Sequence, residues 1–384
     1  MRTRKLRMPQ LPLLLSRRQQ LKLLGATALA GSFEHVASIR ADASSGLALC
    51  QTARGRGLLY GSSSDERFTQ APSEYRDLFQ KQCDLFAPIL SWPQVNPKPD
   101  IQDLEWDPNV SFARGHQLKL TGAHLLWHRE TPLWFGSLRA RVSARNAVAN
   151  HIAAIVSHYV GQVYSWNVVN EAINPTDGRP DGLRKSVLLK RLGPNFFDLA
   201  FRSARAADPS ALLVYNEYGL ETDAADQEAR RTVLLRLLDK LQRQATPIDA
   251  IGLQSHLDVR SFHFDEKIYR GFLRDIASRG LKIIISELDV LDIGAPTAIP
   301  ARDEVVADIY KQLLSVALDE PAVVAVVTWG LSDRYSWYNL WDKPYFRRRD
   351  DLPIRPLPFD EGFQPKPAFY ALQSALENAP LRPG

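Results

Sequence analysis

YSWNVVNEAI, residues 164–173, and KIIISELDV, residues 282–290, each run through apolar and β-branched residues to a glutamate, Glu171 in the first and Glu287 in the second. Such residues favour extended backbone, so each run reads as a buried strand that surfaces at its carboxyl. Working outward, further strands are expected at 57–63, 84–90, 118–128, 211–218, 248–257 and 322–333, with these two at 164–171 and 281–290. Amphipathic helices are expected at 143–160, 193–209, 223–244 and 303–320, where apolar residues recur every three or four positions with charges between them. Pro194 marks a first-turn position of the second helix and Pro209 its stop. Eight strands, each followed by a helical or loop segment, predict an α/β fold, a (β/α)8 TIM barrel in a single domain. A doubly wound sheet shares the alternation, but the glycine-rich turn of its nucleotide-binding form is absent.

The chain has 384 residues, 45% of them hydrophobic, enough for one large domain and too few for three. Cys50 and Cys83 are the only cysteines, so no disulfide framework organises the fold. They admit one bridge or two separate thiols.

Residues 1–43 read as an export leader ahead of a barrel at 44–384. Arg2, Arg4, Lys5, Arg7, Arg17 and Arg18 come before any acidic residue, and the run LKLLGATALAGSF (21–33) and a small-residue site at Ala41-Asp42-Ala43 follow. SRRQQLK (16–22) resembles a twin-arginine signal, with Gln20 where a large apolar residue is usual. The apolar run is too short to span a bilayer well. Eight Lys or Arg against two Asp or Glu give the leader a net +6, so of the total +5 the remainder carries −1. A near-neutral domain gives no electrostatic reason to expect nucleic acid or an anionic membrane as partner. The expected protein is an exported monomer, periplasmic or extracellular.

Functional residues of a barrel lie at the C-terminal ends of its strands. Glu171 and Glu287 both fall there, 116 residues apart, about 39 per strand-helix unit over three units. Singly, each is an ordinary loop or helix-start carboxylate. As a pair flanked by polar residues they are the minimal machinery for breaking a glycosidic bond. Gln254 and His256 are two apart on one expected strand and Glu287 and Asp289 two apart on the next, so each pair shares a face. A metal site from His124, His128 and His256 lacks any HExxH or cysteine spacing, and no metal or other cofactor is expected.

WNVVNEA (166–172), IGLQSHL (251–257), SELDV (286–290) and WGLSDRYSW (329–337) resemble the signature segments of glycoside hydrolase family 10, the retaining endo-1,4-β-xylanases. FRSARAADPSALLVYNEYGLE (201–221) and FQPKPAFYAL (363–372) are similar to it as well. The resemblance implies Glu171 as acid/base, Glu287 as nucleophile, carboxyls about 5–5.5 Å apart and retention of anomeric configuration. It also implies Asn170 as a ligand of the sugar 2-hydroxyl, and His256 bonded between Glu287 and Asp289. Trp127, Trp329 and Trp337, with Gln254, are the implied substrate contacts, the indoles stacking on sugar faces.

Two segments depart from the pattern. The second strand of the family ends in Glu-Asn with a nearby Lys, which hold the sugar on the non-reducing side of the cleavage point. Here APILSWPQVNPKP (87–99) puts Ile89 and Leu90 there. The family's Gly-His-Thr-Leu-Val-Trp-His becomes GAHLLWH (122–128), so Ala123 replaces the first His, and His124 is expected to point to the other strand face. Xylan is the substrate that the resemblance implies. A related glycosidase or transglycosylase acting on another β-linked polysaccharide, such as one the producing cell exports, competes with it, and a non-catalytic carbohydrate-binding protein on the same fold is the third reading.

Overall fold

The computed structural model describes residues 46–64, 66–99, 107–340 and 344–382. The predicted leader, 1–43, lies outside them. Eight parallel strands follow the chain in order: β1 (Leu59–Ser64), β2 (Leu85–Pro88), β3 (Lys119–Gly122), β4 (Val163–Asn170), β5 (Leu212–Glu217), β6 (Ala250–Leu253), β7 (Lys282–Leu291) and β8 (Val323–Thr328). Each pairs with the next, and β8 returns to β1, with Leu59 opposite Ala325 and Ser62 opposite Thr328, so the sheet closes. This is the (β/α)8 barrel that the alternation predicts.

The strands read as near-continuous apolar runs because both faces are covered. In β7 only Lys282 is exposed. Side chains turned into the barrel are mostly small or branched: Leu85, Ala87, Val214, Ala250, Ile284, Ala325 and Val327 pack as their own cluster. The outward side chains, Leu213, Ile251, Ile283, Ile285 and Val326 among them, join the larger core under the helices.

The expected helices are observed at Arg141–His158, Phe196–Ala207, Ala225–Arg243 and Ile299–Ala317. In the third, Leu234, Leu237, Leu238 and Leu241 form the buried stripe. The second starts later than expected. A short helix, Val187–Leu192, ends at Gly193, whose φ of 71° suits glycine, and Pro194 precedes the Asn195 cap instead of lying in the first turn. Cys50 and Cys83 are both buried free thiols.

The segments after β7 and β8 are joined by buried charges. Arg302 pairs with Asp292, Arg355 forks onto Asp303 at 2.9 Å through two nitrogens, and Lys366 meets Asp333 at 2.9 Å. Burial pushes the Asp333 carboxyl up to about 6, against the pull of the Lys366 ammonium. The Lys366 ammonium also donates to the Arg355 carbonyl at 2.8 Å. The chain carrying Trp337 is thereby tied to the barrel.

Removing one partner of a buried pair leaves a charge without compensation, at a cost of about 3–5 kcal/mol. Lys366→Met is expected to lower unfolding stability by that order in urea titration, whereas a loss below about 1 kcal/mol would mean that the pair contributes no more than a surface one.

Candidate active site

Glu171 is the first residue past β4 and takes a left-handed φ of 53°. That conformation costs a non-glycine residue about 1–2 kcal/mol, and neighbours hold it there. Its N–H donates to the Asn216 carbonyl at 3.0 Å, and its own carbonyl accepts from Arg184 Nε at 2.7 Å. Buried Glu217 fixes the following turn by accepting the Ile173 N–H at 3.0 Å; burial pushes its carboxyl up to about 7. Glu287 sits inside β7, four residues before the strand ends, because β7 runs on past its neighbour and pairs with His256–Asp258.

Hydrogen bonds run continuously from one carboxyl to the other. Glu171 Oε1 accepts from Gln254 Nε2 at 3.3 Å and from Asn170 Nδ2 at 3.5 Å. Asn170 Oδ1 accepts from Gln254 at 3.2 Å and from Asn216 Nδ2 at 2.9 Å. The same Asn216 nitrogen reaches Glu287 Oε1 at 2.6 Å. His256 then joins Glu287 Oε2 at 3.0 Å to Asp289 Oδ1 at 2.8 Å. Asp289 is fully buried and also accepts from Trp337 Nε1 at 2.7 Å and Tyr338 Oη at 2.9 Å.

This setting fixes the charge on His256. Burial opposes a cation there, but the Asp289 carboxylate, with help from Glu287, outweighs it and holds the imidazole pKa well above its ordinary value. Both ring nitrogens therefore carry protons and donate. On the other side, His128 is driven down to about 3 by burial and by Arg184 and Arg129, so the ring 3.9 Å from Glu171 is neutral. Glu130 is pushed up to about 7, by burial and by the charge of Glu171.

All nine residues singled out in the sequence gather here. Trp329 lies 6.2 Å and Trp337 5.4 Å from the His256 ring between centroids. Trp127 lies 5.3 Å from His124. Among the described residues no group of three His, Cys, Asp or Glu could hold a metal ion.

Three expectations need correction. The run 118–128 is not one strand: β3 ends at Gly122, and Leu126–Trp127 pairs separately with β4. Strand alternation therefore stops before His124, whose buried ring turns toward Trp329 at 6.4 Å instead of the opposite face. The run 248–257 is also broken, by Ser255 at φ 58°, held by Glu221 through its N–H at 2.9 Å. Gln254 and His256 reach the same site from either side of that break. Of the two apolar replacements at the end of β2, only Ile89 faces the cleft, beside Ser63, Ser64, Trp329 and Trp337; Leu90 belongs to the core.

Asn216, Ser286 and Tyr338 were not singled out in the sequence. Asn216 occupies a strand end in ALLVYNEY, so the barrel rule alone points to it. Ser286 donates to its Oδ1 at 2.6 Å.

Comparison with known proteins agrees with this geometry. The sequence profile of Glycosyl hydrolase family 10 matches residues 48–375. The chain belongs to that family. Endo-1,4-beta-xylanase B of Thermotoga neapolitana is 28% identical over 324 residues, covering 83% of this chain and 88% of the relative. Beta-1,4-xylanase of Dictyoglomus thermophilum is 30% identical, over 78% and 83%. The crystal structure of xylanase 10B from Thermotoga maritima superposes with a TM-score of 0.76 at 29% identity, over 86% of this chain and 98% of that one. A xylobiose complex of xylanase 10B from Thermotoga petrophila scores the same at 28%. As a member of family 10 the chain is a glycoside hydrolase, similar to endo-xylanases.

Two outcomes follow for this family 10 site. A Cβ at Gly252 would stand 2.1 Å from Asn216 Oδ1, so Gly252→Ala must displace the amide that joins the two halves. Misplacement of about 1 Å costs on the order of 100-fold in kcat, together with about 1–3 kcal/mol of stability from crowding a packed interior; an unchanged kcat would mean that catalysis does not depend on where this amide sits. In nitrogen-15 NMR, His256 should stay an imidazolium well above pH 6.5, because a raised pKa keeps the proton until pH climbs through the raised value. Asp289→Asn should bring the titration down toward about 6.5. A wild-type ring already neutral at pH 7.5 would contradict this electrostatic reading.

Proposed function

We propose that this protein is an exported endo-1,4-β-xylanase that cleaves xylan by double displacement with retention of configuration. The observation that carries the roles is the unequal grip on the two carboxyls. Glu287 accepts a 2.6 Å amide hydrogen bond and a charge-assisted one from His256 at 3.0 Å. Among the described residues Glu171 accepts only from amide donors, at 3.3 and 3.5 Å, beside a neutral His128.

A group that must attack as an anion benefits from fixed positive partners. A group that must give and retake a proton benefits from loose ones. Glu171 therefore protonates the glycosidic oxygen as Glu287 bonds the anomeric carbon, and the leaving sugar departs. Glu171, now a carboxylate, takes a proton from water, whose oxygen displaces Glu287 from the anomeric carbon. Asn170 Nδ2 bonds the sugar 2-hydroxyl, and Trp127, Trp329 and Trp337 provide stacking faces. Export rests on residues 1–43, and predicts that fractionated cells hold the protein without its leader outside the cytoplasm.

A second reading, cleavage of another β-linked polysaccharide such as an exported exopolysaccharide, draws on Ile89 and Ala123. Both are apolar where a sugar-binding site would place polar groups.

Product analysis on purified xylan beside other β-glycans tests both. Release of xylo-oligosaccharides, first as the β-anomer by NMR, and loss of at least about 1000-fold in kcat in Glu287→Ala are expected. A folded sample that releases nothing from xylan would sink the first reading, and cleavage of a different glycan would establish the second.

A further inference from the structure

Glu171 has two carboxyl neighbours, and they are held in different ways. Burial pushes both Glu217 and Glu130 up to about 7, and the charge of Glu171 adds to the effect on each. Glu217 is committed to its surroundings. It accepts from Tyr215 Oη at 2.7 Å and from the N–H groups of Ile173 and Tyr218 at 3.0 and 3.1 Å, with Arg230 3.7 Å away. Glu130 has no such set of partners. Its Oε2 is shut off from solvent and, among the described residues, accepts from nothing. A buried carboxylate without donors is costly, and the bond-breaking steps above do not use this group.

The backbone brings Glu130 to the acid/base. Trp127 lies opposite Asn170 in the ladder, level with the residue before Glu171. The chain then turns back at once: the Glu130 N–H donates to the Trp127 carbonyl at 3.2 Å, and Thr131 Oγ1 donates to the same carbonyl at 2.9 Å. His128, inside this turn, stands 3.9 Å from Glu171 Oε2. The other charged groups here are engaged elsewhere. Arg129 lies over the Trp127 ring at 5.9 Å, Arg184 donates to the Glu171 carbonyl, and Asp177 acts on His128, which is neutral. Among the described residues the charge that acts on Glu130 is that of Glu171.

Two carboxyls that feel one another do not ionise independently. The loss of one proton makes the second harder to lose, and the two steps belong to the pair. While one proton remains in the pair it can occupy Glu171.

We propose that Glu130 is a positioning residue for the acid/base, sharing a proton with Glu171 and keeping part of it in the acid form at pH values where a lone carboxyl would be ionised. The exchange moves one proton and no electrons: Glu130 ends as the carboxylate and Glu171 as the acid. A raised pKa keeps its proton until pH climbs through the raised value, so this support is present below about pH 7 and lost above it. The inference rests on the assignment of Glu171 as acid/base.

Glu130→Gln keeps the shape and removes the charge. The test reads kcat/KM against pH on a xylo-oligosaccharide, or on the oligosaccharide of whichever β-glycan product analysis identifies. The alkaline limb, which reports the free enzyme, should move down by about one pH unit, a loss that grows to about tenfold on the alkaline side. Glu130→Asp, which retains a carboxyl, should restore part of it. On the 2,4-dinitrophenyl glycoside of the same sugar, whose leaving group needs no proton, the shift should vanish. In carbon-13 NMR of labelled glutamate carboxyls, a step near pH 7 should be absent from Glu130→Gln, and Glu171 should pass from two-step to one-step titration. An alkaline limb that stays in place, an equal shift on both substrates, or one-step titration of Glu171 in the wild type would overturn the proposal. Failure of the acid/base assignment reads differently. Glu171→Ala would then lose as much activity on the dinitrophenyl substrate as on the oligosaccharide, which removes the assignment and this proposal with it, while the carbon-13 titration would still show two coupled carboxyls.

Discussion

Asp289 is a carboxylate with no access to solvent, and the site is built outward from it. It takes the imidazolium of His256 on one oxygen, shared with Tyr338, and the indole N–H of Trp337 on the other. An isolated charge at that depth would cost many kcal/mol, so the carboxylate and the imidazolium require each other. Once His256 is fixed, its second nitrogen fixes Glu287, which fixes Asn216, and through Asn216 come Asn170, Gln254 and Glu171. The Trp337 ring is oriented by the same anchor, so a surface for a sugar ring and a proposed nucleophile are set by one buried group.

The barrel supplies what this chain of bonds needs. Gly252 leaves the space that the Asn216 amide fills, and the barrel interior below is closed by small and branched residues. At the site two residues leave the strand direction with left-handed backbone, Glu171 at φ 53° and Ser255 at φ 58°, each followed or held by a buried glutamate, Glu217 and Glu221. Such residues persist only when their surroundings over-determine them, and here hydrogen bonds to backbone N–H groups do so.

Much of this was legible in the sequence, for identifiable reasons. Apolar runs of strand length at regular spacing carry the barrel, since period and length are local properties. Glu171, Glu287 and Asp289 were legible because strand ends and alternation place side chains without knowledge of contacts, whereas His256 was legible through the likeness of IGLQSHL to the family's segment. Alternation failed where the strands themselves stop. His124 follows Gly122 by two residues, outside the ladder, and so its direction could not be read by counting. Asn216 stands at a strand end, where the barrel rule looks for functional residues, but the groups it joins come from neighbouring strands and no local pattern names them.

The central claim is that two similar carboxyls perform different jobs because their partners differ. Inactivation with a 2-deoxy-2-fluoro-β-xylobioside bearing a good leaving group, followed by peptide mass spectrometry, tests it most directly, since slow turnover of the fluorinated sugar leaves the covalent glycosyl-enzyme in place. The account predicts one sugar, ester-linked to Glu287. A label on Glu171, or complete turnover by an inverting route with no label on either carboxyl, would contradict it.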